Sequence, residues 1–358
     1  MELKYWKHRE NVSRIYLVLW LTGCCLAWIP AHVMAQQRPH YTQYIMNNYI
    51  INPALTGIEN YTDIKLSYRN QWVDFPGAPQ TIYASVHAPI GKKDYRTTAT
   101  SFEVPGTNPR GKAYWEDYTA AEPHHGIGGS VINYKTGYIN RLFVTASYAY
   151  HMGLSSKLNL SAGFAGGFSS VTLDATKVTL ANPFDPTISV AAANMQKLKP
   201  ELNAGLWLYS DRFFAGLSAQ QIIPAKYPLQ NTSLNKSSLV PHVFVTAGYR
   251  MQASEDISVL PSFMFRYIPS MPMFMDVNVK AQYQDRIWLG ANYRIKEGLA
   301  AMAGVNISSK FNISYSYDTY FNKQQSYLLP YMQKGSHEIV LGFTLGNKYG
   351  DLCPTRVW

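Results

Sequence analysis

Apolar and polar residues trade places at almost every step over most of this chain. In Phe311-Asn312-Ile313-Ser314-Tyr315-Ser316-Tyr317-Asp318 the swap is unbroken, and Asp276-Val277-Asn278-Val279-Lys280-Ala281-Gln282-Tyr283 repeats it with Lys280 on the polar side. An extended strand turns successive side chains to opposite faces, so each such segment has one apolar and one wet face. Bounded by turn residues, the pattern predicts about fourteen strands, with 12–16 as the range. They fall near residues 61–72, 79–89, 126–136, 138–152, 156–170, 200–210, 211–222, 241–253, 256–268, 273–284, 286–296, 298–309, 310–319 and 336–347. A tilted strand needs roughly 9–11 residues to cross a bilayer, and the candidates are long enough.

Connection lengths sort by parity. The links after the fourth, sixth, eighth, tenth and twelfth candidates are short: Gly153–Ser155, Ser210-Asp211, Ser254-Glu255, Gln284-Asp285 and Ser308–Lys310. The long links Val171–Lys199, Ile223–Val240 and Tyr320–Gly335 all take the opposite parity. Transmembrane barrels have short periplasmic turns and longer external loops. The expectation is therefore an all-β fold, an antiparallel transmembrane β-barrel over residues 61–347, with both termini in the periplasm. Residues 91–125 break the parity rule, being long on the side of the short turns. They mix Tyr95, Trp115 and Tyr118 with Pro105, Pro109 and Pro123. Either they form an inserted partner-docking loop presenting those three aromatics, or the strand count slips there.

The cost of Lys or Arg facing lipid at mid-depth, about 2–4 kcal/mol, assigns faces. It turns Lys65, Arg69, Arg266, Lys280 and Arg294 into the lumen and leads one to expect a basic interior. Arg69 has two readings there, contact with an anionic partner or internal segment, or pairing with a lumenal acid. Trp72, Trp207, Trp288 and many of the 27 tyrosines read as interfacial girdles. Gly163, Gly166 and Gly167 mark either a close approach to the wall or a bend.

Composition narrows the class. The 358 residues are 47% hydrophobic and 14% aromatic but only 15% charged, against roughly 25% charged in soluble domains. Beyond the N-terminus no run of about 20 apolar residues supports a membrane helix. Residues 1–35 read as a secretory signal peptide: Lys4, Lys7, Arg9 and Arg14, then Ile15 to Ile29, then Val33-Met34-Ala35. Leu21-Thr22-Gly23-Cys24 also matches a lipobox, so lipidation at Cys24 is the alternative. Cleavage after Ala35 leaves Cys353 as the lone thiol, which excludes an internal disulfide. The formal charge of +10 falls to about +8 without the leader, which holds four basic and two acidic residues. That balance suits acidic partners or outer-membrane lipid, and no nucleic-acid motif accompanies it. Nucleophile elbows, phosphate loops and zinc-binding His-Glu-x-x-His are missing, so neither an enzyme nor a cofactor is expected. His124-His125, with Glu116, Asp117 and Glu122 nearby, is the one candidate metal cluster, set aside because adjacent residues on an extended chain point apart.

Several stretches together carry a resemblance. They are Gln43-Tyr44 with Asn52-Pro53-Ala54-Leu55-Thr56-Gly57, and Tyr68-Arg69-Asn70-Gln71-Trp72 with Gly77-Ala78-Pro79-Gln80-Thr81. To these add Ser210–Leu217, Gln284–Arg294, Tyr315–Asp318 and Gly335–Ile339. The chain resembles the PorP/SprF family of Bacteroidota outer-membrane proteins over nearly all its mature length. The resemblance implies a component of the type IX secretion and gliding machinery. It also implies periplasmic partners of the PorK/PorN kind and a large secreted adhesin as cargo. The family is similar to FadL-like barrels, in which an Asn-Pro-Ala near the N-terminus belongs to a plug. That makes Asn52, Pro53 and Ala54 a candidate hatch. The expected division is 1–35 signal peptide, 36–60 plug segment, 61–347 barrel and 348–358 periplasmic tail. The rival reading is a FadL-like channel for a small hydrophobic or anionic solute.

Overall fold

The computed structural model describes residues 39, 41–92, 120–174, 198–228, 236–321 (apart from 255, 270, 285 and 309) and 334–346. The signal peptide, Cys24, the docking-loop candidates Tyr95, Trp115 and Tyr118, and the tail 348–358 lie outside them. Fourteen antiparallel strands form the wall. In chain order they are β1 (Thr62–Asn70), β2 (Gln80–Ile90), β3 (His124–Thr136), β4 (Ile139–Ser155), β5 (Leu158–Leu173), β6 (Lys199–Tyr209) and β7 (Phe213–Gln220). There follow β8 (His242–Tyr249, continued by Met251–Gln252), β9 (Ile257–Tyr267), β10 (Phe274–Tyr283), β11 (Ile287–Arg294), β12 (Gly298–Asn306), β13 (Phe311–Tyr320) and β14 (Ser336–Leu345). Each strand pairs with its neighbours in sequence. The sheet closes where β1 meets β14, from Thr62 opposite Leu345 to Asn70 opposite His337. Closure leaves no free edge, so the ladder's donors and acceptors pair strand to strand without water, as a membrane interior requires. The expected barrel and its strand number are what the structure has. Among the described residues no helix is long and apolar enough to cross a membrane. A small ribbon, Ala225–Pro228 paired with Lys236–Leu239, stands apart in the β7–β8 connection.

Local sequence explains the tight turns. Ser210 Oγ accepts from the N–H groups of Arg212 and Phe213, Ser254 Oγ from that of Ile257, and Ser308 Oγ from those of Lys310 and Phe311. A serine three residues before the returning strand thus substitutes for the ladder while the chain reverses. All three turns lie at one end of the barrel, here called the short-turn end. The opposite end carries the longer connections β5–β6, β7–β8 and β13–β14.

Alternation separates the two faces. Leu66, Tyr68, Ile82, Val86, Val131, Phe164, Leu217, Val279, Leu289 and Ile339 are exposed on the outside of the wall, whereas Lys65, Ser67, Arg69, Ser85, Lys280 and Asn292 are buried on the inside. That distribution inverts a soluble protein, and lipid is the solvent it matches. His124 and His125 do point apart: the first is buried inward and the second exposed beside Tyr148. Among the described residues no group of His, Cys, Asp and Glu could hold a metal ion.

Candidate functional site

The lumen is occupied by the chain's own residues Tyr41–Ile58, eighteen positions without one charged or histidine side chain. Three short 3-10 turns, Gln43–Met46, Asn48–Ile50 and Pro53–Leu55, carry the segment down the barrel. It enters at the end with the longer connections and leaves at the short-turn end, where Tyr61 leads into β1. Ile45, Met46, Tyr49 and Leu55 form one apolar cluster with Trp207, Phe214, Leu260, Trp288 and Met302 of the wall. Polar contacts grip it at two places of different chemistry.

At the entering end, charged residues from six strands make a belt: Arg69 (β1), Arg266 (β9), Asp276 (β10), Arg294 (β11), Asp318 (β13) and Glu338 (β14), all buried. Arg69 bonds Asp318 and reaches Glu338 Oε2 at 3.0 Å. Arg294 lies 3.4 Å from Asp318 and 3.7 Å from Asp276, and the Arg266 guanidinium sits 4.4 Å above the ring of Phe274. The segment threads this belt at Thr42. Its hydroxyl donates to Asp318 Oδ2 at 2.6 Å and accepts from Arg69 and Arg294. Its N–H donates to Glu338 Oε2 at 2.9 Å. Charges so far from water are tolerable because Arg69 and Arg294 are paired with Asp276, Asp318 and Glu338, while Arg266 rests on the Phe274 ring.

At the leaving end, over Asn52–Gly57, the contacts are neutral and close. Asn52 Oδ1 accepts from Ala54 N–H (3.0 Å), holding the turn that Pro53 begins, while its amide donates to the Leu206 carbonyl at 3.0 Å. Ser161 Oγ donates to the Ala54 carbonyl at 2.6 Å, and His151 Nε2 lies 2.8 Å from that of Thr56. Gly57 N–H donates to His87 Nδ1 at 3.2 Å. Glycines let the backbones meet. A Cβ on Gly163 would stand 2.5 Å from the Pro53 carbonyl oxygen, and one on Gly126 1.9 Å from that of Thr56. Gly205 faces Asn52 Oδ1 in the same way.

The sequence profile of the family described as type IX secretion system membrane protein PorP/SprF matches residues 33–343, thus the segment and nearly the whole wall. The chain belongs to the PorP/SprF family. Family and closed barrel together place it in the outer membrane. A search of curated proteins found no match. Among solved structures it is similar to the CymD monoaromatic hydrocarbon channel (13% identity, 85% of this chain and 92% of that one, TM-score 0.43). It is also similar to Omp33 of Acinetobacter baumannii (7%, 81% and 99%, 0.41) and a FadL homologue of Pseudomonas aeruginosa (10%, 82% and 91%, 0.42).

Within this PorP/SprF protein the residues singled out by sequence take definite places. Asn52, Pro53 and Ala54 lie in the lumen against β5, β6 and β7. Lys65, Arg69, Arg266, Lys280 and Arg294 are all buried on the inner face. Arg69 combines both of its readings, pairing with lumenal acids and holding the segment. The interior is not basic, however. Among the described residues the buried Lys and Arg number six, with Arg250 the sixth, and are matched by Asp63, Glu201, Asp211, Asp276, Asp318 and Glu338. Lys65 is paired with Asp63 two residues away. Desolvation explains the difference, since each inward cation needs an inward anion.

The girdle reading also fails for two tryptophans. Trp207 and Trp288 are buried in the lumen, each opposite a glycine of the next strand, Gly216 and Gly304. A Cβ at Gly216 would lie 2.4 Å from the Trp207 ring, so the glycine makes room for an indole flat against the inner wall. Strand parity contained the signal: Trp207 shares a face with Glu201 and Asn203, and Trp288 with Asn292 and Arg294. Of the three glycines in β5, only Gly163 meets the segment; Gly167 meets Val144 and Gly166 faces open space. Thr42, Asp318, Glu338, His87 and His151 were not singled out as site residues. For Asp318 and Glu338, parity with Ser314, Ser316 and Ser336 was the available clue.

Proposed function

We propose that this protein is a closed outer-membrane scaffold of the type IX secretion and gliding machinery, supporting export or surface anchoring of adhesin-type cargo. The single observation that carries the reading is the filled lumen in a member of this family. A segment held at both ends suits a barrel that binds partners better than one that passes solute. In this reading the short-turn end faces the periplasm and PorK/PorN-like partners. The longer connections face outward, where cargo arrives, and residues 91–125 supply a docking element beneath the membrane.

Deleting residues 95–122 tests the docking role. The expected outcome is a barrel that keeps its heat-modifiable gel mobility but recovers less periplasmic partner on co-purification; unchanged recovery counts against it. Planar-bilayer recording tests the scaffold against the FadL-like alternative. The intact protein is expected to stay closed, and steady conductance or solute uptake by the unmodified chain favours a channel.

A further inference from the structure

We propose that the lumen is a binding site for an uncharged polypeptide segment, and that Tyr41–Ile58 is its resident and exchangeable occupant. The inference deepens the scaffold reading and rests on it only for the source of the second segment, a protein the barrel holds; the site itself follows from four features of the wall.

First, wall side chains read the occupant through its main chain. Glu338 accepts from the N–H groups of Thr42 and Gln43. Gln220 and Ser218 donate to the carbonyls of Ile50 and Ile51 at 2.8 and 2.6 Å. Ser161, His151 and His87 take Ala54, Thr56 and Gly57 in the same manner. Contacts to peptide groups are available to any polypeptide and carry little demand on side-chain identity. Second, Gly126 and Gly163 strip the wall of side chains where the occupant's backbone lies against it, so recognition there is of chain shape. Third, the belt's Arg69 and Arg294 pair with its three acids and Arg266 lies over Phe274, so an occupant need bring no charge, and the resident brings none.

Fourth, the resident fits one wall better than the other. Its hydrogen bonds to the wall concentrate on β2, β4–β7 and the belt residues Arg69, Arg294, Asp318 and Glu338, with one from Lys92 beyond β2. Toward β11 and β13, the carboxamide of Asn292 and the hydroxyls of Ser314 and Ser316 are buried with no hydrogen-bond partner, as is the amide of the segment's own Asn48, whereas Asn278 of β10 faces the segment's Tyr44 hydroxyl. A carboxamide offers one donor group and one acceptor, the same pair that a peptide group needs. An occupant presenting peptide or hydroxyl groups to Asn292 therefore gains bonds that the resident leaves unmade.

The resident's advantage is its tether. Joined to β1 through Glu59–Tyr61, it competes at the effective concentration of a short linker, on the order of millimolar. A free peptide loses that contest; one held at the barrel's mouth within an assembly does not. Exchange is therefore coupled to complex formation.

The test uses purified barrel in detergent, a variant lacking residues 41–57, and a fluorescent synthetic peptide with the sequence of residues 41–58. The control peptide carries Asn47→Glu, Asn52→Lys and Thr56→Glu. The shortened barrel is expected to bind the first peptide saturably by anisotropy. Binding of the control, and binding to the full chain, should each be weaker by about tenfold or more. Gly163→Val in the shortened barrel should cause a similar loss. A shortened barrel that keeps its heat-modifiable mobility yet binds neither peptide, or both alike, overturns the proposal. Where the shortened chain fails to fold, the full chain carrying a protease site at Glu59-Asn60 is folded first and then cut. Exchange of the cut segment for labelled peptide supports the proposal, and its retention under excess peptide overturns it. None of these readouts involves secretion partners, so failure here is distinct from failure of the deletion at 95–122.

Discussion

The two grips on the lumenal segment solve one problem with opposite chemistry. At Thr42 the barrel uses six charged side chains that chiefly satisfy each other and touch the segment through a single threonine and its neighbour. At Asn52–Gly57 it uses no ion pair to the segment but serine, asparagine and histidine contacts, with glycines that bring main chain to main chain. The belt gains its hold from Coulomb attraction in a dry interior, where an unpaired ion is very costly. The cradle gains its hold from shape, where one added methyl is very costly. Loss of a belt residue should therefore damage the wall as well as the grip. Loss of a cradle residue should free the segment and leave the wall standing.

The largest effect is expected from Arg69→Ala. It strands Glu338 in the lumen and leaves Asp318 with Arg294 alone, and removing one partner of a buried ion cluster costs about 3–5 kcal/mol. The heat-modifiable band should unfold at a clearly lower temperature or urea concentration. Asp74→Ala, which removes an exposed pair with Lys334 at the same end of the barrel, should change the midpoint by less than about 1 kcal/mol. Equal effects from the two substitutions would show that the belt's burial adds nothing. Raising the salt concentration should leave the Arg69 contribution largely intact, since mobile ions do not screen a buried cluster.

This contrast also explains what the sequence made legible. The wall was readable almost strand by strand because alternation and turn chemistry are local, and lipid enforces the parity at every turn. Arg69 and Arg294 were readable as inward residues for the same reason. The partners of Arg69 were not, because Asp318 and Glu338 lie 249 and 269 residues from it in sequence. They meet it only when β1 closes against β14. The excess of basic residues over the whole chain concealed an interior in which the two signs balance. The cradle was half legible: Asn52-Pro53-Ala54 looked like a turn that belongs inside, but which of Gly163, Gly166 and Gly167 faces it depends on the register of β5 against β4 and β6. Trp207 and Trp288 were misplaced because their residue type suggested an interface, while their parity, the stronger argument, put them inside.

Gly163→Ala is the sharper test of the cradle and the next largest effect. The new Cβ meets the Pro53 carbonyl oxygen and the Ala54 Cα at 2.5 and 2.7 Å, both backbone atoms that must shift. Overpacking of this kind costs typically about 1–3 kcal/mol. The segment should become sensitive to added protease while the barrel's thermal midpoint changes little. Gly166→Ala, three residues on and facing open space, is the matched control and should leave the segment protected. Protection lost in both variants would mean that β5 merely needs flexibility. Asn52→Ala should follow with about 1–2 kcal/mol. It removes the bond to Ala54 N–H and those to the carbonyls of Leu206 and Leu217.

The smallest effect is a pH dependence located between the two grips. Tyr49 of the segment is buried with its hydroxyl 2.7 Å from Ser147 Oγ. Burial pushes its pKa from the ordinary 10 up to about 12, only partly offset by that hydrogen bond. The sign follows from which state holds the proton more tightly. Docked, the phenol keeps it to higher pH than when released, so docking is unaffected below pH 10 and weakens as pH rises from 10 towards 12. Each unit in that window amounts to about 1.4 kcal/mol. Protease protection of the segment measured at pH 9 and pH 11 should fall accordingly in the natural chain. Tyr49→Phe cannot ionise at this position and should remove that share of the fall, at the cost of the Ser147 bond at every pH. An identical pH response in the two chains would place the titrating group elsewhere in the lumen, and would detach this part of the segment's hold from the burial of Tyr49.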